Sequence, residues 1–245
     1  GLGDVYKRQV LKAVDPVVVL DEDQRKVVLT DEDYCLVIAG AGAGKTTTLR
    51  MLATLIKPDK GDALIDGSSI VTDPNGVRKK IGFLTSELKL EEFFTPNYLF
   101  DFFSELYGVD QAERDERKRI LFQKFGVDEF AEVKVANLST GMKQKVSLII
   151  SLVHDPQIII FDEPTAGLDP KERIHVRNLI HDNSAGKIIL IATHVVQDIE
   201  DIASQIMLLK KGVLIEMAAP EILTGRITDK ENPDLEDVYL SIFGE

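Results

Sequence analysis

The sequence predicts an α/β fold, a mostly parallel β-sheet flanked by helices with a helical insertion. Three observations carry the prediction. Apolar runs suited to strands buried on both faces recur as YCLVIA at Tyr34–Ala39, QIIIFDEP from Gln157 and KIILIATH from Lys187, with helical patterns between them. A glycine-rich loop leads from the first run into a helix. Between Phe93 and Val153 the strand pattern gives way to helical periodicity.

Composition agrees with one such domain. The chain has 245 residues, 44% hydrophobic and 29% charged, enough for a sizeable core. Its formal net charge of −12 argues against a general electrostatic grip on nucleic acid or anionic lipid. Cys35 is the sole cysteine, so no internal disulfide forms, and a small apolar residue in a strand is its simplest reading. The longest apolar runs, such as VSLIISLV at 146–153, fall well short of the ~20 residues a membrane span needs. No secretory signal is visible, and GLGDVYKRQ at residues 1–9 reads as a non-native leader.

Taken in order, the helix after the loop runs from about Lys45 to Ile56, ahead of the breaker PDKG at 58–61. ALIDG and KIGFL read as short strands flanking a turn at TDPNG. In the insertion, LFDFFSELYG places Leu99, Phe102, Phe103 and Leu106 on one helical face, an aromatic stripe expected in the core, and ERDERKRILFQKF continues as a charged, solvated helix. Helical patterns recur at Lys171–His181 and Val195–Ala203. The expected organisation is an α/β core over 34–92 and 154–218, a helical subdomain over 93–153, and a C-terminal helical tail over 219–245.

The chemistry concentrates at strand ends. Gly44-Lys45-Thr46 closes a P-loop of the form [AG]xxxxGK[ST], with Ala39 in the first position. Gly40, Gly42 and Gly44 let backbone N–H groups turn toward phosphate oxygens, and the following helix presents its positive end. Lys45 would reach the β/γ-phosphates of ATP, the Thr46 hydroxyl would ligate Mg²⁺, and Thr47 belongs to the same phosphate-binding set. IIIFDEPTAGLD puts Asp162 at a strand's C-terminal edge, where it can hold Mg²⁺ through water, and Glu163 where it can polarise an attacking water. His194 follows another strand at the same edge and is assigned as γ-phosphate sensor. Together these define a P-loop NTPase.

LSTGMKQK, 138–145, discriminates among such machines. Ser139 and Gly141 ahead of an apolar helix make an anion-binding helix N-terminus. In company with IIIFDEPTAGLD, the segment resembles the LSGGQ signature of ABC transporter ATPases, from which Thr140 and Met142 depart, as in sodium- or drug-efflux subunits of the ABC-2 type. The resemblance covers about residue 46 to Glu245, including the ending DLEDVYLSIFG. It implies a head-to-tail dimer in which Lys45, Thr46, Asp162, Glu163 and His194 of one subunit face Ser139 and Gly141 of the other across ATP, with Asp169 at the seam. It further implies that the helical subdomain docks on a separate ABC-2 type membrane permease, placing the chain on the cytoplasmic face of the cell membrane. Ser86 departs from the family, which carries glutamine there, and cannot offer the same carbonyl to Mg²⁺.

Residues 10–48 point elsewhere. No aromatic lies between Tyr6 and Tyr34 to stack on adenine, as the ABC family would have it. LDEDQRKVVL ahead of a buried strand resembles the start of superfamily 1 DNA helicases, with Gln24, 16 positions before Gly40, as its adenine-contacting glutamine. Either the N-terminus of an ABC subunit has diverged, or the chain is a mosaic joined within GKTTT; the second is the expectation adopted. Three functions follow from these readings: the ATP-hydrolysing subunit of an exporter, a helicase-like nucleic-acid motor, or a nonhydrolytic nucleotide-binding module. The first leads, and no nucleic-acid partner is expected.

Overall fold

The structure is a computed structural model that describes residues 34–39, 45–85, 89–183, 185–193, 195–196, 202–210, 213–228 and 230–244. Gln24, Gly40, Gly42, Gly44, Ser86 and His194 lie outside the described residues. So does most of the helix expected over 195–203.

A six-stranded sheet organises the chain. Its members are β1 (Tyr34–Ala39), β4 (Ile81–Thr85), β5 (Ile158–Asp162), β6 (Ile188–Thr193), β7 (Gln205–Lys210) and β8 (Val213–Ala218), in the order β4-β5-β6-β1-β7-β8. All neighbours pair parallel except β7 with β8. Alternation along the strands sorts side chains onto two faces. Ile159 and Phe161, Ile189 and Ile191, and Ile206 and Leu208 enter one core; Ile158 and Ile160, Leu190 and Ala192, and Met207 and Leu209 enter the other. Burial on both faces is why these strands read as unbroken apolar runs.

The second face is covered by α1 (Lys45–Leu52), through Leu49 and Leu52, and by a small β2–β3 hairpin (Leu64–Ile65 with Ser68–Ser69). The hairpin turns on Asp66-Gly67 with φ of 45° and 78°, the positive values that an Asp-Gly turn accepts. Helix α1 ends at Leu52, short of the predicted Ile56, because Thr54 adopts a φ of 59° and leaves the helical region. TDPNG is not a turn. Asp73 accepts from the Gly76 N–H and Pro74 supplies a preset φ, so the segment opens the short helix α2 (Pro74–Arg78).

The insertion folds as α3 (Pro96–Tyr107), α4 (Gln111–Phe125) and α5 (Thr140–Ser151). Thr95 and Asp110 cap the starts of α3 and α4, and left-handed Gly108 and Gly126 end them. The buried face of α3 matches the predicted one in part, Leu99 being buried and Phe103 packing half-buried against the core. Leu99 and Phe100 are buried, whereas Phe102 and Leu106 are 47% and 67% exposed. Helical spacing defines a stripe but cannot say which of two adjacent apolar stripes meets the protein; Phe100, edge-on to Phe122 of α4, takes the inner position. Helix α4 keeps its charged flank but buries Leu121, Phe122 and Phe125. Helix α6 (Pro170–Asp182) joins the first core, and α7 (Pro220–Thr224) and α8 (Leu235–Phe243) follow β8. Neither β7 nor β8 was expected from the sequence.

Candidate functional site

Two segments far apart in sequence meet at the C-terminal edge of the sheet. The first residues of α1 face the last residues of β5: Thr46 Oγ1 donates to Asp162 Oδ1 at 3.1 Å across 116 positions. Beside it, Lys45 Nζ lies 3.0 Å from Glu163 Oε1, with the two side chains 14% and 15% exposed. Strand β5 delivers both acids because its apolar run ends at the rim, where Asp162 is 2% exposed and the chain turns out of the sheet.

Glu163 sits in the left-handed region at a φ of 55°, a conformation that costs on the order of 1 kcal/mol or more for a non-glycine residue and persists only where contacts enforce it. Those contacts are visible. Its N–H donates to Ala192 O at 2.8 Å and its carbonyl accepts from the Ala166 N–H at 3.2 Å. Thr193 Oγ1 donates to Glu163 Oε2 at 3.3 Å and accepts from the Val195 N–H at 3.1 Å. One residue later, the Pro164 carbonyl accepts from Gln144 Nε2 of α5.

Burial pushes the Asp162 carboxyl above its ordinary pKa, and the neighbouring negative charge of Glu163 adds to the rise; the Thr46 hydrogen bond, Arg50 and Lys45 oppose it. A divalent cation would favour the ionised form. The donor set fits Mg²⁺: a hydroxyl and a carboxylate are hard oxygen ligands, and a site with two protein ligands leaves room for phosphate oxygens and water. Among the described residues no cluster of three or more His, Cys, Asp or Glu forms an all-protein metal cage.

The structure thus brings Lys45, Thr46, Asp162 and Glu163 together, with Thr47 exposed on the next position of α1. Ser139, Gly141 and Asp169 stand at two other helix starts. Ser139 caps α5, accepting from the Met142 N–H at 3.2 Å, and is itself exposed. Asp169 caps α6, accepting from the Glu172 N–H at 3.0 Å. Gly141 packs against α6: a Cβ there would meet Glu172 Oε2 at 2.7 Å, and that buried oxygen has no hydrogen-bond partner among the described residues. Sequence reading missed Thr193, Gln144 and Glu172. The first precedes the predicted sensor histidine and the second lies inside LSTGMKQK, but neither carries a signal of its partner.

Comparison with known proteins points to one family. A family model described as ABC transporter matches residues 29–166. The ABC transporter ATP-binding protein NatA of Bacillus subtilis (strain 168) is 32% identical over 231 residues, covering 90% of this chain and 93% of that protein. The doxorubicin resistance ATP-binding protein DrrA of Mycobacterium tuberculosis (strain CDC 1551 / Oshkosh) is 29% identical over 189 residues, covering 77% of this chain and 57% of its own length. A solved structure of an ATP-binding subunit of an ABC transporter shares the fold, with a TM-score of 0.76 at 24% identity over 85% of this chain and 87% of that one.

Proposed function

Because this chain is an ATP-binding domain of the ABC transporter family, we propose that it binds and hydrolyses ATP to energise a separate ABC-2 type exporter permease. The observation that carries the reading is the convergence of Lys45 and Thr46 with Asp162 and Glu163 at one sheet edge. Lys45 is placed to exchange its carboxylate partner for phosphate oxygens, as the P-loop lysine does. Thr46 and Asp162 would hold Mg²⁺, which when bound neutralises phosphate charge. Glu163, pinned through its backbone and through Thr193, accepts a proton from the attacking water. The glycines at 40, 42 and 44 supply backbone N–H groups, and His194 reads the γ-phosphate.

Ser139 and Gly141 act in trans in this reading, on ATP held by the other member of a head-to-tail dimer, with Asp169 at the seam. Support comes from the exposed N-terminus of α5, where first-turn N–H groups favour an anion. Among the described residues no helix is long and apolar enough to cross a membrane; in this reading a separate membrane subunit carries the substrate. The chain would sit on the cytoplasmic face through that subunit. The export assignment follows the relatives named for drug resistance and multidrug transport.

Two accounts of residues 10–48 stay within the proposal, a diverged ABC N-terminus and a join to a helicase-like segment with Gln24 as its adenine contact. The family match, which begins at residue 29 and takes in β1 and the P-loop, favours ABC character upstream of Thr46. Sequencing the parent DNA across the codons for Gly40–Arg50 tests the join, and one uninterrupted native frame refutes it. The hydrolytic reading is tested by ATP turnover and ATP-dependent dimerisation of the purified chain and its Glu163→Gln variant.

A further inference from the structure

We propose that Gln144 is a positioning residue that carries engagement of the turn Ser139–Gly141 to the hydrolytic carboxylate of the same chain, Glu163. The proposal rests on the dimeric hydrolase reading above. Helix α5 begins at the two residues that would receive phosphate from the partner's nucleotide, and Gln144 stands on its second turn. From there Nε2 donates to Pro164 O, the carbonyl that follows the base. Glu163 itself is held at a positive φ, a backbone state that depends on enforced neighbours. The Gln144 hydrogen bond is one of those enforcing contacts, and it comes from a different subdomain from the rest.

Gly141 supplies a second close approach to the same segment. Gly141 lies so close to α6 that a Cβ would come within 2.7 Å of Glu172 Oε2, and α6 is the helix that Asp169 caps at the end of the same 163–169 segment. The start of α5 thus lies against both ends of the turn bearing the base, bonded at Pro164 and in close approach at Glu172. A tilt of the α5 N-terminus therefore pulls on the Pro164 carbonyl through the Gln144 hydrogen bond, whereas the Glu172 side chain can swing aside. In a head-to-tail dimer the consequence is specific. The signature turn of a chain senses the nucleotide of one site, while Glu163 of that chain serves the other, so Gln144 couples the two sites.

The test uses the purified full chain with Mg-ATP, comparing Gln144→Leu and Gln144→Glu, which lack the donor, with Gln144→Lys, which keeps one. Binding of a fluorescent ATP analogue, steady-state ATP hydrolysis and thermal melting are measured on each. Expected is a kcat about tenfold lower for the Leu and Glu variants, the worth of one hydrogen bond to the base-bearing turn, at unchanged analogue affinity. Their Hill coefficient for ATP falls toward unity, and the Lys variant recovers kcat to within about twofold. Parental kcat and cooperativity in the Leu and Glu variants overturn the proposal alone, as does an equal loss in all three. A parental chain that neither hydrolyses ATP nor dimerises overturns the proposal together with the reading beneath it.

Discussion

Replacing Glu163 by glutamine keeps the shape of the side chain and removes both its charge and its basicity. Two magnitudes follow. Without a proton acceptor beside the attacking water, kcat falls about a hundredfold to ten-thousandfold, the usual worth of a positioned general base. The second follows from Lys45, 3.0 Å away. At an effective dielectric of 20 the Coulomb energy of that pair is about 5 kcal/mol, and the cost of dehydrating two mostly buried charges offsets much of it. The net loss of stability is then about 2 kcal/mol, or roughly 4–8 °C in Tm for a chain of this size. ATP reverses that loss. Lys45 no longer has to leave a carboxylate to reach phosphate, so the variant binds ATP more tightly than the parent and gains more Tm from it. Colorimetric phosphate release, size-exclusion chromatography with and without Mg-ATP, and thermal melting check the three parts. Hydrolysis at the parental rate, or a variant that stays monomeric with ATP, refutes the reasoning.

Other perturbations separate structure from chemistry. Asp162 has a raised pKa in the folded chain, so the folded state holds its proton more tightly than the unfolded one, and stability falls as pH rises from the unfolded Asp value through the folded one. Asp162→Asn is therefore expected to raise Tm at neutral pH while abolishing Mg²⁺-dependent hydrolysis, as measured by melting and turnover at pH 7. His154, stacked on Tyr107 at 3.9 Å, is held by burial at a pKa of about 4. It stays neutral when folded, so stability is lost as pH falls from its unfolded value of 6.5 toward 4; His154→Gln should flatten that window in pH-dependent melts. Gly82→Ala in β4 is expected to cost about 3 kcal/mol in a denaturant titration, because the new Cβ would lie 2.3 Å from the Ser151 carbonyl, a backbone atom that cannot swing away. Gly141→Ala meets only the flexible end of Glu172, so its stability change should stay within about 1 kcal/mol while turnover is lost.

Much of the site was legible in the sequence because its parts are local. GKT after an apolar strand and DE at the end of another are short patterns whose chemistry follows from residue type and strand position. Which helix face is buried was not legible on α3, where Phe100 and Phe102 compete and only the presence of Phe122 opposite selects the first. Strands β7 and β8 escaped because their apolar pattern sits beside no motif.

By itself the sequence determined the α/β class and the parallel strands carrying the motifs, and it singled out Lys45, Thr46, Asp162 and Glu163, which the structure brings together. Apolar periodicity and motif chemistry are properties of neighbouring residues, and they survive without knowledge of the partner surface. Only the tertiary structure decided that β5 and β6 lie between β4 and β1, and that Thr193 meets Glu163 and Gln144 reaches Pro164. Those contacts depend on strand order, register and the seating of α5 against the sheet. Hydrogen bonds between segments so far apart are set by where packing brings the chain together, and no local pattern records that.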